Sequence, residues 1–145
     1  FGVKQKEAIK KYRALVDGHP PTPKGRIEVA VGRHQAHRQR MAPVLPDDGK
    51  SAVSLYYTLA VYRKHTYLKI IILTGRTHQI RVHLSFLKCP VVGDTTYGRK
   101  SPSLPVDRPF LHASRIKIRL PGDENPRQFE APLPPDLDNV LSNLQ

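Results

Sequence analysis

Apolar positions along the chain change period several times, and each change marks an element. Ala52-Val53-Ser54-Leu55-Tyr56-Tyr57-Thr58-Leu59-Ala60-Val61-Tyr62 is a β-branched and aromatic run, Arg63-Lys64-His65 interrupts it, and Thr66 to Leu73 resumes it. Two such runs around a polar break predict an antiparallel hairpin. From residue 74 the spacing lengthens: Ile80, Leu84 and Leu87 recur at i, i+4 and i+7, the period of a helix. Thr74-Gly75 supplies turn chemistry at the junction, and Thr74 or Thr77 is the expected helix cap. Thr77, His78, Arg81, Ser85 and Lys88 then fall on a polar stripe roughly opposite the apolar one.

The same reading extends to both ends. Residues 1–11, rich in lysine with Ala8 and Ile9, are expected to be the end of a helix, and Lys11 to Gly18 alternates as a strand closing in a turn. Pro20-Pro21-Thr22-Pro23 is a stiff connector. Gly25 to Val31 reads as one short strand with Ile27, Val29 and Val31 on a common face. Residues 32–50 have no periodicity and read as a loop. Pro109 to Leu120 is a further strand, whose second half alternates Ile116, Ile118 and Leu120 with Arg115, Lys117 and Arg119. Gly122-Asp123-Glu124-Asn125-Pro126 turns it into a hairpin with Arg127 to Ala131. Pro134-Pro135-Asp136 opens a terminal helix with Leu137, Val140, Leu141 and Leu144 on its apolar side. The fold expected is α+β: one domain with a mixed, largely antiparallel sheet, a few flanking helices and a central cleft.

Charge narrows the partner. The chain has 24 Lys and Arg against 12 Asp and Glu in 145 residues, a net charge of +12, and its pI is near 10.1. Such a surface seeks polyanions. No apolar run approaches the roughly eighteen residues that span a bilayer, and no long basic amphipathic helix is evident, so nucleic acid is preferred to a membrane. The lone cysteine, Cys89, excludes a disulfide framework and reads as a small buried hydrophobe beside Pro90. His78 and His83 are five apart, not the four that aligns two zinc ligands on a helix face, so no metal site is expected.

The chemistry concentrates in Thr74-Gly75-Arg76-Thr77-His78-Gln79-Ile80-Arg81-Val82-His83-Leu84. A buried strand feeds a helix whose first turns carry two arginines, two histidines and a glutamine, an arrangement suited to an anionic ligand. Arg33, Arg38 and Arg40, with His34 and His37, make the 32–50 segment electropositive, and long charged loops in compact domains are usually functional or disordered. Tyr56, Tyr57, Tyr62 and Tyr67 are expected to pack rather than to form a base-stacking platform. Asp94, between Gly93 and a turn, reads as a turn or cap residue and not a nucleophile.

These words also carry a family resemblance. Gly-Arg-Thr-His-Gln-Ile-Arg-Val-His-Leu from Gly75, followed by Pro90-Val91-Val92-Gly93-Asp94 and Tyr97-Gly98, resembles the third signature of the RluA-like pseudouridine synthases of ribosomal and transfer RNA. Lys11-Tyr12-Arg13-Ala14-Leu15-Val16-Asp17-Gly18 resembles their second signature, and Phe110-Leu111-His112-Ala113 their last active-site element. Gly32-Arg33, Arg40-Met41 and Gly49-Lys50-Ser51-Ala52 resemble their projecting RNA-gripping loop. The resemblance implies that uridine is isomerised to pseudouridine in ribosomal or transfer RNA, by base flipping and without a cofactor. It makes Tyr12 the residue that stacks on the uracil and a candidate to remove its proton, Arg81 the partner of the nucleophilic carboxylate, and Leu111 the apolar contact to the base. Arg33, Arg38 and Arg40, with Arg76, His78 and Lys88, are the expected contacts to RNA.

The likeness covers the back two-thirds of a family catalytic domain. Nothing here matches the family's Arg-Leu-Asp signature, which is expected to lie upstream of Phe1, where any targeting segment would also lie. Arg81 is therefore expected to be a cation without its anion in these 145 residues. Two further readings stand beside the synthase: an inactive synthase-like RNA-binding or ribosome-assembly protein, and a structural ribosomal component suggested by charge alone.

Overall fold

The computed structural model describes residues 9–144. Among them the chain forms β1 (Ile9–Asp17), β2 (Lys24–Glu28), β3 (Ala30–Arg33), β4 (Met41–Val44), β5 (Val53–Val61), β6 (His65–Ile72), α1 (Gln79–Phe86), β7 (Leu111–Ile118), β8 (Arg127–Glu130) and α2 (Pro135–Ser142), with one 3-10 turn at Pro46–Asp48. Six strands form the main sheet in the order β2-β5-β6-β1-β7-β8, and β3 and β4 form a separate two-stranded sheet. Every pairing among the described strands is antiparallel. The expected α+β class, with helices flanking an antiparallel sheet, is what the chain adopts.

β1 is placed centrally because of its composition. Ala14, Leu15 and Val16 form an unbroken apolar triplet and are all fully buried, which requires cover on both faces. The register aligns Tyr12 with Ile70 on β6 and with Ala113 on β7, and Ala14 with Leu68 and Leu111. These residues share one face. α1 lies over that same face: Tyr56 and Ser54 of β5 stand opposite Ile70 and Ile72, and the Ser54 hydroxyl bonds Gln79 and His83 of α1. On the other face Leu15 pairs with Tyr67, whose ring meets Phe110 edge-on at 6.2 Å near the α2 residue Asp138.

Several expectations are corrected. Ile9 to Lys11 belong to a strand, not a helix end; the rest of that expectation, on residues 1–8, lies outside the described residues. The predicted strand Gly25 to Val31 is two strands in two sheets. The chain leaves the main sheet at Val29, so that Ile27 enters the main core while Val31 joins Ala52 and Val82 in a second one, against Met41 and Tyr97. Alternation alone cannot show such a change of sheet. Residues 32–50 are also more ordered than their lack of period suggests, since β3 and β4 make a hairpin with residues 34–40 at its tip. The helix cap is neither threonine: His78 occupies that position in the left-handed region, with φ of 55°.

The three tyrosines of β5 and β6 do not form a platform. Tyr56 is buried beneath α1, Tyr57 lies on the opposite face with Lys69 over its ring at 4.7 Å, and Tyr67 packs on Phe110. The Tyr56 ring lies directly over Gly25, with its hydroxyl 2.7 Å from Thr22 Oγ1. A Cβ at position 25 would come within 2.6 Å of the ring.

Gly25→Ala is therefore expected to destabilise the fold by about 1–3 kcal/mol through overpacking, read as a lower urea midpoint with unchanged m. Tyr56→Leu should relieve part of that loss in the double variant, whereas additive losses would mean that the ring is not the obstacle.

Candidate active site

The start of α1 is fixed by a buried polar network. Gln79 donates through Nε2 to Val53 O at 3.0 Å and Ser54 Oγ at 2.9 Å. Its Oε1 accepts from Thr74 Oγ1 at 2.6 Å and from the Arg76 amide at 3.1 Å, while the Val53 amide donates to Thr74 Oγ1. His83, fully buried, is held between Ser54 Oγ at 2.9 Å from Nδ1 and Val29 O at 2.8 Å from Nε2. The carbonyl takes only a donor, so Nε2 carries the proton and Nδ1 accepts from Ser54. Burial lowers the His83 pKa against the opposing effect of the Val29 carbonyl, and the imidazole is neutral. Each polar group satisfies its neighbour, which a buried network requires.

That network sets the direction of Arg81. Its Nε donates to Asp94 Oδ2 at 2.8 Å and its Nη2 to Oδ1 at 3.0 Å, a two-point ion pair. The Asp94 side chain is fully buried and that of Arg81 is 21% exposed. Burial would raise the Asp94 pKa, but hydrogen bonds from Arg81 and from the Tyr97 and Thr96 amides outweigh it and hold the carboxyl below its ordinary value. The Asp94 bonds in turn raise the Arg81 pKa further. Asp94 is the turn residue expected, since Oδ1 accepts the Thr96 and Tyr97 amides at 3.1 Å each. It is also an anion for Arg81 within these 145 residues, which overturns the expectation that Arg81 has none. Among the described residues Nη1 of Arg81 has no hydrogen-bond acceptor, and the side chain lines a cavity of about 380 Å³ with Gly93, Thr96 and Pro109.

Backbone pairing to β1 brings Asp94 here. Asp17 N donates to Pro90 O, Val92 N to Leu15 O, Leu15 N to Phe110 O and Phe110 N to Val92 O. Residues 90–92 and Phe110 thus extend the β1 edge where β7 stops. Gly93, with φ of +83° and Arg108 O where a Cβ would clash with it, then lets the chain turn.

Tyr97 connects this pair to the basic hairpin. Its ring lies under the Arg81 guanidinium at 5.0 Å, its carbonyl accepts from Ser85 Oγ, and its phenol oxygen receives the Met41 amide at 2.9 Å. The same oxygen is 2.7 Å from His78 Nδ1, which steadies the left-handed backbone there. Burial, then the Arg81 charge, lowers the His78 pKa.

The structure places the expected site residues as follows. Tyr12 and Leu111 share the strand face over which α1 is laid, while the cavity beside Arg81 is lined by neither of them. Arg33, Arg76 and Lys50 line one cavity of about 370 Å³, with Arg76 Nε on Ser51 O at 2.8 Å. Arg38 is exposed at the hairpin tip, and its carbonyl accepts from Arg33. Arg40 sits at the base of the tip, where its carbonyl accepts the His34 amide. Lys88 is exposed beyond the end of α1 with φ of 65° and is not drawn into this group. Sequence reasoning missed Asp94 as the partner of Arg81 and Tyr97 as the link. The Gly-Asp-x-x-Tyr-Gly wording was the available signal.

The model of the RNA pseudouridylate synthase family matches residues 2–86. The chain is 44% identical over 134 residues to an uncharacterized RNA pseudouridine synthase of Chloroflexus aurantiacus, covering 92% of this chain and 42% of that one. It is 40% identical over 146 residues to ribosomal large subunit pseudouridine synthase D of Pseudomonas aeruginosa, covering 92% and 45%. The solved structure of human RNA pseudouridylate synthase domain containing 1 superposes with a TM-score of 0.77 at 30% identity, over 95% of this chain and 60% of that one. The chain spans less than half the length of these two curated relatives.

Asp94 links stability to acid. A carboxyl held below its ordinary pKa contributes stability above the unfolded value, about 3.9, and loses it as pH falls through the lower folded value. Asp94→Asn is expected to cost roughly 2–3 kcal/mol at pH 6, below the range for fully buried pairs because Arg81 keeps some water. The gap to the parent should narrow below pH 4 in urea midpoints taken from pH 6 to pH 2. A gap constant across that range would show that the ion pair contributes nothing.

Proposed function

We propose that this chain, which belongs to the RNA pseudouridylate synthase family, supplies the base-holding part of an enzyme that isomerises uridine to pseudouridine in RNA. The two nucleosides contain the same atoms. The base leaves the sugar at N1, turns and rejoins it through C5, so that C5 loses a hydrogen and N1 gains one. The target must be extruded from any stack before this can happen. What the protein contributes is therefore a shaped pocket, a fixed charge and a proton path.

The observation that carries this reading is the Arg81–Asp94 pair, anchored on the helix over the Tyr12 and Leu111 face. Asp94 holds two guanidinium nitrogens and so aims the third. By family resemblance the anion that Nη1 meets is the nucleophilic aspartate of the Arg-Leu-Asp signature, which is not among these 145 residues. Burial raises the Tyr12 pKa, so its ring meets the uracil as a neutral phenol, and its oxygen is the candidate to take the C5 proton only as it gives its own hydrogen up to solvent. Leu111 supplies the apolar contact opposite. Arg33, Arg38 and Arg40 on the hairpin, with Arg76 and His78 beside them, meet phosphates and set affinity rather than sequence. Ribosomal RNA is the favoured substrate class, because relatives are named as ribosomal large subunit enzymes.

The test uses RNA labelled with tritium at uridine C5 and the whole protein that contains this chain. Label should be released to water as pseudouridine forms. Arg81→Lys, which keeps the charge but not the two-point grip, should lower turnover by roughly 10²–10³ with RNA affinity retained. Tyr12→Phe should keep affinity and lose about 10²-fold or more in turnover if the hydroxyl takes the proton. Unchanged tritium release in Arg81→Lys would refute the assigned role of the pair.

A further inference from the structure

The sheet face turned away from α1 carries a second basic cavity that the reading above does not use. The register places Lys11 opposite Arg115, and Arg13 between Lys69 on β6 and His112 on β7. Like charges directly opposite each other oppose sheet formation, yet here they stand in two successive tiers. The cavity they line, about 580 Å³, is closed on one side by residues 130–133. Glu130 is the acid in its lining and is committed to Arg115, at 2.9 Å. Nη1 of Arg13 is buried with no hydrogen-bond partner among the described residues, a costly state for a charged donor. Burial, then Arg115, Lys69, Arg13 and Lys117, lowers the pKa of Lys11. A surplus of half-buried cations with one buried, orphaned donor fits an absent anion better than a solvated face, where the side chains would splay apart.

We propose that this rear cavity binds two successive backbone phosphates of the RNA, away from the pocket that takes the target uridine. Lys11 and Arg13 are two residues apart on one strand, a separation of about 6.8 Å. That spacing is comparable with that of neighbouring phosphates on an extended nucleic acid strand. Lys11 with Arg115 meets one phosphate; Arg13 and Lys69 meet the next, filling the open valence of Arg13. A free phosphate or mononucleotide satisfies one tier and leaves the other unpaired, so a polynucleotide is the better occupant. The inference rests on RNA being the ligand of the opposite face, but it concerns binding and not turnover.

The experiment measures RNA affinity of the whole protein by fluorescence anisotropy across a potassium chloride series, using a single-stranded ribosomal RNA fragment. Lys11→Gln with Lys69→Gln should reduce the slope of log affinity against log salt by about 1.4, two contacts at roughly 0.7 each. Lys69→Glu alone should weaken binding further than Lys69→Gln, and it keeps the test usable where the double variant does not fold. Because the pairs are repulsive, the glutamine variants should melt no lower than the parent. In a parallel amide spectrum, inorganic phosphate should perturb residues 11–13, 67–69 and 112–115. An unchanged salt slope overturns the proposal, and if phosphate still shifts those amides the cavity is a free-anion site instead. Tritium release by the parent protein is scored separately: no release by the parent with a reduced slope in the variants counts against the catalytic reading only, and release by the parent with an unchanged slope counts against this one only.

Discussion

A carboxylate with no exposed surface is tolerated in this fold because it accepts four hydrogen bonds, one at Oδ2 and three at Oδ1. Two come from a guanidinium and two from backbone amides of the turn that follows it. Removing either partner strands a charge in a poorly solvated place, so the turn and the helix are conditional on one another. The rest of the site inherits that condition. Tyr97 is placed by the turn, Arg81 by the helix, and the ring of one lies beneath the cation of the other. The pair is itself delivered by the sheet, since residues 90–92 are stitched to the end of β1.

The second constraint is polar as well. Gln79, His83, Ser54 and Thr74 form a closed set of donors and acceptors between the first turn of α1 and the edge of β5. A short helix of eight residues is marginal by itself, and its buried apolar residues alone do not fix its rotation. The side-chain amide of Gln79 does so, since it bonds backbone on both the strand and the turn. Val29, where the chain passes from one sheet to the other, is held by the opposite nitrogen of His83. The point at which the fold branches is thus tied to the helix that carries the site.

Much of this was legible in the sequence, for physical reasons that differ by residue. The β5–β6 hairpin announced itself because both strands are apolar enough to be covered, and α1 because Ile80 and Leu84 keep the helical period. Tyr12 and Leu111 were visible only as words of a family, since an aromatic or a leucine in a strand ordinarily serves packing. The split at Val29 was hidden, because Ile27 and Val31 alternate correctly while entering different cores. The role of Asp94 beside Arg81 was hidden for another reason: thirteen residues separate the pair, and a Gly-Asp turn satisfies local rules completely. His78 escaped because the two threonines just before it make better caps by composition; its left-handed backbone is held by a phenol nineteen residues away.

That phenol joins two hydrogen bonds. The Met41 amide donates to the oxygen of Tyr97, and in the neutral tautomer with the imidazole hydrogen on Nε2 that oxygen gives its own hydrogen to His78 Nδ1. The chain from the hairpin to the helix start therefore has a polarity, running outward from backbone to solvent. If the imidazole gains a proton, the oxygen receives from both neighbours and its hydrogen has to swing elsewhere. The hairpin keeps its anchor in either state, while the orientation of a single hydroxyl dipole beside the guanidinium reverses.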